Sequence, residues 1–245
     1  MSSPAIPGWS PLSSTARRTL HTTLSDLPAL FADWISDDLG CPRIPHTRQR
    51  PFTRTVVFWT FLSQCLTRSE PCREVVRKLM VWLHLCRRPA ISGNTSAYCQ
   101  ARQKLLTEPF LRDAHQSLVA RIESQAPTAY RWHGRRVGVV DGTTVSMPDT
   151  PLNQACYPQP SEQKKGCGFP VMKLVGVFSL ATGLWHWLAY GNLRDHERTL
   201  FRGLWEAIAQ RFDLLLGDRG FTSFADMYLL KQRGVDTVLR RHQMR

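Results

Sequence analysis

Two aspartates stand where a carboxylate can do chemistry. Asp141 closes the apolar run Arg135-Arg-Val-Gly-Val-Val-Asp141 and is followed by Gly142-Thr-Thr144. Asp218 closes Phe212-Asp-Leu-Leu-Leu-Gly217 and is followed by Arg219-Gly-Phe221. A carboxylate at the end of a buried strand is held rigidly and reaches the rim of the sheet, where open α/β sheets bind ligands. If the two strands are neighbours, the carboxylates converge on a site for Mg²⁺ or Mn²⁺. Mg²⁺ is a hard cation that prefers oxygen ligands and keeps several waters. On a basic protein such a site suits in-line phosphodiester chemistry with two metals. Taken singly, each residue also reads as a turn, because Asp before Gly or Arg-Gly is common there. The two together, with this strand order and charge, favour the metal reading.

The elements that must position them follow from periodicity. Residues 135–141, 173–180 and 184–190 read as three strands, the last two joined by the turn Ala181-Thr-Gly183. Leu200, Phe201, Leu204, Trp205 and Ile208 recur at helical spacing over 196–211. Residues 212–217 read as a fourth strand, 224–232 as a helix and 235–239 as a fifth strand. The order β-β-β-α-β-α-β predicts a mixed sheet flanked by helices, between α+β and α/β in class. Trp185 and Trp187, two apart, are expected on one side of the third strand, packed in the core. Upstream, residues 52–66 form a helix or buried segment. Ser69-Glu-Pro71 starts a helix carrying Val75, Val76, Leu79, Met80 and Leu83. Asn94 caps a helix over 95–106, and Thr107 with Pro109 starts one over 110–122. Residues 1–50, rich in Pro, Ser and Thr, read as an arm with a short helix around 20–35. Three segments are thus expected: an arm over 1–50, a helical DNA-binding region over 51–130 and a sheet domain over 131–245.

The charge points to a polyanion. The chain of 245 residues carries a formal net charge of +13, and 26 of its 32 cations are arginine. Residues 1–130 hold 16 basic against 9 acidic side chains, and residues 131–245 hold 16 against 10. The excess is therefore no basic tail, and both halves are drawn to a phosphate backbone. Seven scattered cysteines, without Cys-x-x-Cys or paired Cys/His spacing, argue against zinc and for reduced thiols. The start lacks the apolar core of a secretory signal, and no apolar run has membrane-spanning length. A cytoplasmic protein is the expectation.

The stretches Val139-Val-Asp-Gly-Thr-Thr-Val-Ser-Met-Pro-Asp149 and Leu215-Leu-Gly-Asp-Arg-Gly-Phe221 resemble those of DDE-type transposases of bacterial insertion sequences. The insertion sequence 4 family is the nearest group. Ser92-Gly-Asn-Thr-Ser-Ala-Tyr-Cys-Gln-Ala-Arg-Gln-Lys-Leu105 resembles the region before that family's catalytic domain. The likeness covers about 90–240. It implies an RNase H-like catalytic fold, with Asp141 binding both metals and Asp218 sharing one. The implied reaction is metal-assisted hydrolysis at the transposon end, then attack of the freed 3′-hydroxyl on target DNA. The implied partners are transposon-end and target DNA, and a homodimer in a synaptic complex. A phosphatase with an aspartate nucleophile is disfavoured, because the required second Asp is replaced by Thr143.

One feature of the family is missing. Its third ligand is a glutamate on a later helix, in a Tyr-x2-Arg-x3-Glu-x6-Lys pattern. After residue 239 the sequence reads Arg240-Arg-His-Gln-Met-Arg245. Glu162, Glu197 and Glu206 all precede Asp218; Glu197 reads as a cap near the start of its helix, with a substitute ligand as the alternative. The expectation is a catalytically incomplete N-terminal part, from a truncated or frameshifted element or a partial gene model. Two other functions stay open: a non-catalytic DNA-binding protein that interferes with full-length transposase, and a stand-alone metal-dependent nuclease. Candidate DNA contacts are Lys164, Lys165 and Lys173 in or near the loop between the first two strands, Arg219 beside Asp218, and Arg102 and Lys104 on the helices. The lysines and Arg102 read also as ordinary solvated cations, and Arg219 as the partner of a neighbouring carboxylate.

Overall fold

The structure is a computed structural model that describes residues 24, 26–32, 35, 51–67, 70–164 and 166–240. The chain divides into two compact units, Met1–Leu118 and Val119–Arg245. The expected arm and the proposed cap Ser69 lie mostly or wholly outside the described residues.

In the first unit helices α1 (Leu27–Leu30), α2 (Arg54–Leu66), α3 (Cys72–Leu85) and α4 (Thr95–Leu105) precede α5 (Glu108–Gln125), which runs on into the second unit. Their starts have identifiable chemistry. The Thr53 side chain accepts a hydrogen bond from Val56 N at the start of α2, and Asn94 Oδ1 accepts one from Ser96 N at 2.9 Å at the start of α4. Each satisfies a backbone donor that the helix cannot. Val57, Val75, Val76, Tyr98 and Leu106 are buried together, and Leu79 and Leu83 pack with Val56. The stripe read from residues 75–83 is thus the buried face of α3, apart from the exposed Met80.

The second unit is built on a five-stranded sheet: β1 (Val137–Ser146), β2 (Val171–Ser179), β3 (Trp185–Asn192), β4 (Leu214–Gly217) and β5 (Asp236–Leu239). Its order is β3-β2-β1-β4-β5. β1 is antiparallel to β2 and parallel to β4, β2 is antiparallel to β3, and β4 is parallel to β5. The mixed, α+β arrangement agrees with the expected RNase H-like class. Between strands lie α6 (Pro151–Cys156), α7 (Glu197–Arg202), α8 (Trp205–Arg211) and α9 (Phe224–Gln232). Phe201, Trp205, Ile208 and Leu230 from these helices bury against Val140, Val175, Val177 and Leu215 of the sheet.

Three details differ from the periodicity reading. β1 does not stop at Asp141 but runs five residues further, paired with β2 as far as Ser146 opposite Val171. The helix expected over 196–211 is two helices, α7 and α8, separated at Gly203 and Leu204. Trp185 and Trp187 do not share a side. The register shifts between Val177 and Phe178, so Trp187 stands opposite Val177 and packs on the core while Trp185 stands opposite Phe178 and is exposed. Such a bulge inserts one extra residue and reverses the facing of what precedes it. The Trp185 ring occupies the space beside Gly176, where any Cβ would collide with it.

Candidate metal centre

The parallel pairing of β1 with β4 runs from Val137 opposite Leu214 to Val140 opposite Gly217. Asp141 and Asp218 are the next residue on each strand. The strands are neighbours, as that reading required, and the aspartates take equivalent positions just past the paired residues of strands whose usual spacing is about 4.8 Å. β4 ends there, whereas β1 continues along β2, so Asp141 sits in a strand rather than in the turn its Asp-Gly pair allowed. Asp218 is at once a cap and a rim carboxylate. It precedes the 3-10 turn Arg219–Phe221, and its Oδ1 accepts from Gly220 N at 2.6 Å. Phe221, fully buried, anchors that turn in the core.

Each carboxylate has one oxygen fixed and one free. Asp141 Oδ1 accepts from Gly142 N at 2.8 Å, as Asp218 Oδ1 does from Gly220 N. Neither Oδ2 has a hydrogen-bond or ion-pair partner among the described residues. Both side chains belong to exposed residues.

A third carboxylate approaches the glycines that follow both aspartates. Glu197 is the first residue of α7, whose preceding residue His196 makes no side-chain cap bond. The cap expected of Glu197 is not formed either. Its carboxylate lies 3.1–3.4 Å from where a Cβ on Gly142 would stand, and its Oε2 lies 3.8 Å from the corresponding point on Gly220. Small residues at 142 and 220 leave it that room. The turn feeding α7 is held by Lys173 on β2, whose Nζ donates to Leu193 O at 3.2 Å and Asp195 O at 2.6 Å. The Asp195 carboxylate in turn accepts from Asn192 N at 2.7 Å. From sequence Glu197 is one of three glutamates between Asp141 and Asp218; only the fold separates it from Glu162 and Glu206. Among the described residues no three His, Cys, Asp or Glu side chains group closely enough to hold one ion directly.

Two families match the chain. The transposase DDE domain family matches residues 132–244, the whole sheet unit with both aspartates. The insertion element 4 transposase N-terminal family matches residues 22–112, the helical unit. "Transposase InsG for insertion sequence element IS4" of Escherichia coli (strain K12) is 28% identical over 176 residues, covering 72% of this chain and 38% of that protein. The two units thus match two domain families of insertion-sequence transposases, one each. The chain spans 38% of the length of that curated relative.

The cations named from sequence fall into different groups. Arg219 is exposed next to Asp218, and Lys164 is exposed on the β1–β2 loop. That loop is organised by Gln159, whose Nε2 donates to Gln163 O and Lys164 O while its Oε1 accepts from Gly166 N and Gly168 N. Lys165 lies outside the described residues. Lys104 is exposed on α4. Lys173 and Arg102 are engaged internally instead. The Arg102 guanidinium donates to Gln64 Oε1 at 3.2 Å and stacks over Phe61 and Tyr98, so reaching a phosphate would cost these contacts. Burial pushes the Tyr98 hydroxyl up to about 12, against the pull of Arg102, so it stays a proton donor to Gln64.

The Arg135-Arg136 pair, basic and undistinguished in sequence, is a clamp at the opposite end of the sheet. Arg136 grips both oxygens of Asp213, with Nη2 2.8 Å from Oδ1 and Nε 3.2 Å from Oδ2. Arg135 Nη2 reaches Asp213 O and Asp236 Oδ2, both at 2.6 Å. Together they tie the start of β1 to the starts of β4 and β5, which sets the register that brings Asp141 to Asp218. Hydrogen bonding from Arg136 holds the Asp213 carboxyl below its ordinary range.

Proposed function

We propose that the chain binds transposon-end and target DNA, and that Asp141 and Asp218 hold Mg²⁺ or Mn²⁺ for cleavage and strand transfer at phosphodiester bonds. The observation that carries this reading is the β1–β4 register, which sets two carboxylates with free oxygens side by side on a protein of net charge +13. The donor set fits a hard cation: carboxylate oxygens only, with room for waters. When bound, the ion neutralises charge on the phosphate and activates the attacking oxygen. The chain's own groups do the rest. The Gly142 and Gly220 amides fix one oxygen of each aspartate, so the other is presented outward. Arg219 offers a planar guanidinium beside the site for a non-bridging phosphate oxygen. Lys164, and Lys104 on the helical region, supply phosphate contacts further along the duplex.

No three-carboxylate ligand set is assembled among the described residues. The proposal is accordingly that a polypeptide of these 245 residues binds DNA well and cuts it poorly. Retention of duplex DNA by the purified chain should fall about a thousandfold in affinity between 50 and 200 mM salt. Nicking with Mg²⁺ or Mn²⁺ should be slight. Salt-insensitive or absent binding would remove the DNA reading. Robust metal-dependent nicking abolished by Asp141→Ala would confirm the site and overturn the claim of poor cleavage; nicking unchanged in that variant would overturn the site.

A further inference from the structure

We propose that Glu197 is a positioning residue of the same centre, acting on the ion bound by Asp141 and Asp218 through its coordinated water. The inference rests on the metal reading above and adds a residue to it. Its basis is where the Glu197 carboxylate lies. The Cβ position at Gly220 is 3.0 Å from Asp218 Oδ1 and 3.8 Å from Glu197 Oε2, so both carboxylates crowd a single point. The Cβ position at Gly142, next to Asp141, is 3.1 Å from the Glu197 carboxyl carbon. Glu197 therefore lies between the residues that follow the two aspartates. It has no hydrogen-bond or ion-pair partner among the described residues, although it is half-buried.

A partly exposed carboxylate without a protein partner, set near the glycines that follow two other carboxylates, is open to water or to a hydrated cation. Arg198, its neighbour in sequence, forms no ion pair with it. The helix-cap explanation fails, because the carboxylate is turned to the two glycines and accepts no backbone N–H. Direct ligation fails too, because the three carboxylates do not close on one point as a ligand set. What remains is a contact one water away. Mg²⁺ and Mn²⁺ retain waters that donate hydrogen bonds, and a carboxylate accepting them orients the water and strengthens the ion's hold. The Lys173 and Asp195 contacts that secure the β3–α7 turn then have a role, since they set where Glu197 begins its helix.

The test is calorimetric titration of Mn²⁺ into the full chain, as wild type, Glu197→Gln, Asp141→Asn and Asp218→Asn, with melting temperatures measured in parallel. Glu197→Gln should weaken Mn²⁺ binding about tenfold without abolishing it. Its metal-free melting temperature should equal or exceed that of wild type, because a like charge is removed. The aspartate variants should lose binding. Unchanged Mn²⁺ affinity in Glu197→Gln, while Asp141→Asn loses it, would overturn the inference and leave the metal centre standing. Complete loss in Glu197→Gln, equal to Asp141→Asn, would make Glu197 a direct ligand and also overturn it. Absence of Mn²⁺ binding in wild type would instead overturn the metal reading beneath both.

Discussion

Glu123 shows how much a single half-buried carboxylate carries here. It reaches from α5 to the β2–β3 hairpin, where Thr182 Oγ1 donates to Oε1 at 2.6 Å and His186 Nε2 lies 3.2 Å from the same oxygen. Burial opposes its ionisation, but the hydrogen bonds from His186, Thr182 and Ser179 outweigh that and bring the carboxyl down to about 2. A carboxyl lowered on folding stabilises the fold above its unfolded value, near 4.3. That contribution fades as the pH falls from there through about 2. Replacing Glu123 by Gln should cost about 1–3 kcal/mol at neutral pH, and denaturant melts should show the cost shrinking between pH 5 and pH 2. At this same scale the places of Asp141 and Asp218 at the ends of β1–β4 pairing were legible, because each follows an apolar run and precedes a glycine-containing turn. Glu123, Glu197 and Arg136 were not. Their neighbours lie more than 20 residues away in sequence, and nothing local to them records the contact.

Elements were readable where burial and periodicity coincide. The cap at Asn94, the helix over 224–232 and the four later strands stand within about two residues of the expected bounds. The failures share one cause. The second half of β1 is solvent-exposed and polar, so no apolar run marks it; it is a strand because β2 pairs with it. The β3 bulge that parts Trp185 from Trp187 is likewise a property of pairing, not of either strand alone. The joint between α7 and α9 makes a measurable claim. Arg202 on α7 donates through Nε and Nη2 to Oδ1 of Asp226 on α9, at 3.0 and 2.7 Å, and Asp226 is buried while its other oxygen has no partner. Arg202→Ala strands that carboxylate and should cost about 2–4 kcal/mol in urea unfolding. Adding Asp226→Asn should return part of the loss; a double variant no better than the single would refute the pairing. Gly138 offers a second check. A Cβ there would stand 2.8 Å from the buried Phe212 ring, so Gly138→Ala should destabilise by about 1–3 kcal/mol despite its conservative size.

For the whole molecule, charge and topology act together. The positive excess is carried by both units, and the exposed cations left after internal pairing include Arg219 and Lys164 in the sheet unit and Lys104 in the helical unit. The family matches fall on the same two units, the insertion element 4 N-terminal pattern on the helices and the DDE domain on the sheet. Among the described residues no helix is long and apolar enough to cross a membrane. DNA affinity should therefore respond to changes in either unit: Arg219→Ala and Lys104→Ala should each weaken binding modestly and flatten the salt dependence by about one unit of slope. The most direct test of the central claim is the electron paramagnetic resonance of Mn²⁺ titrated into wild type, Asp141→Asn and Asp218→Asn. Mn²⁺ should be bound by wild type and lost in each variant, with folding intact by circular dichroism. Undiminished Mn²⁺ binding in either variant would contradict that claim.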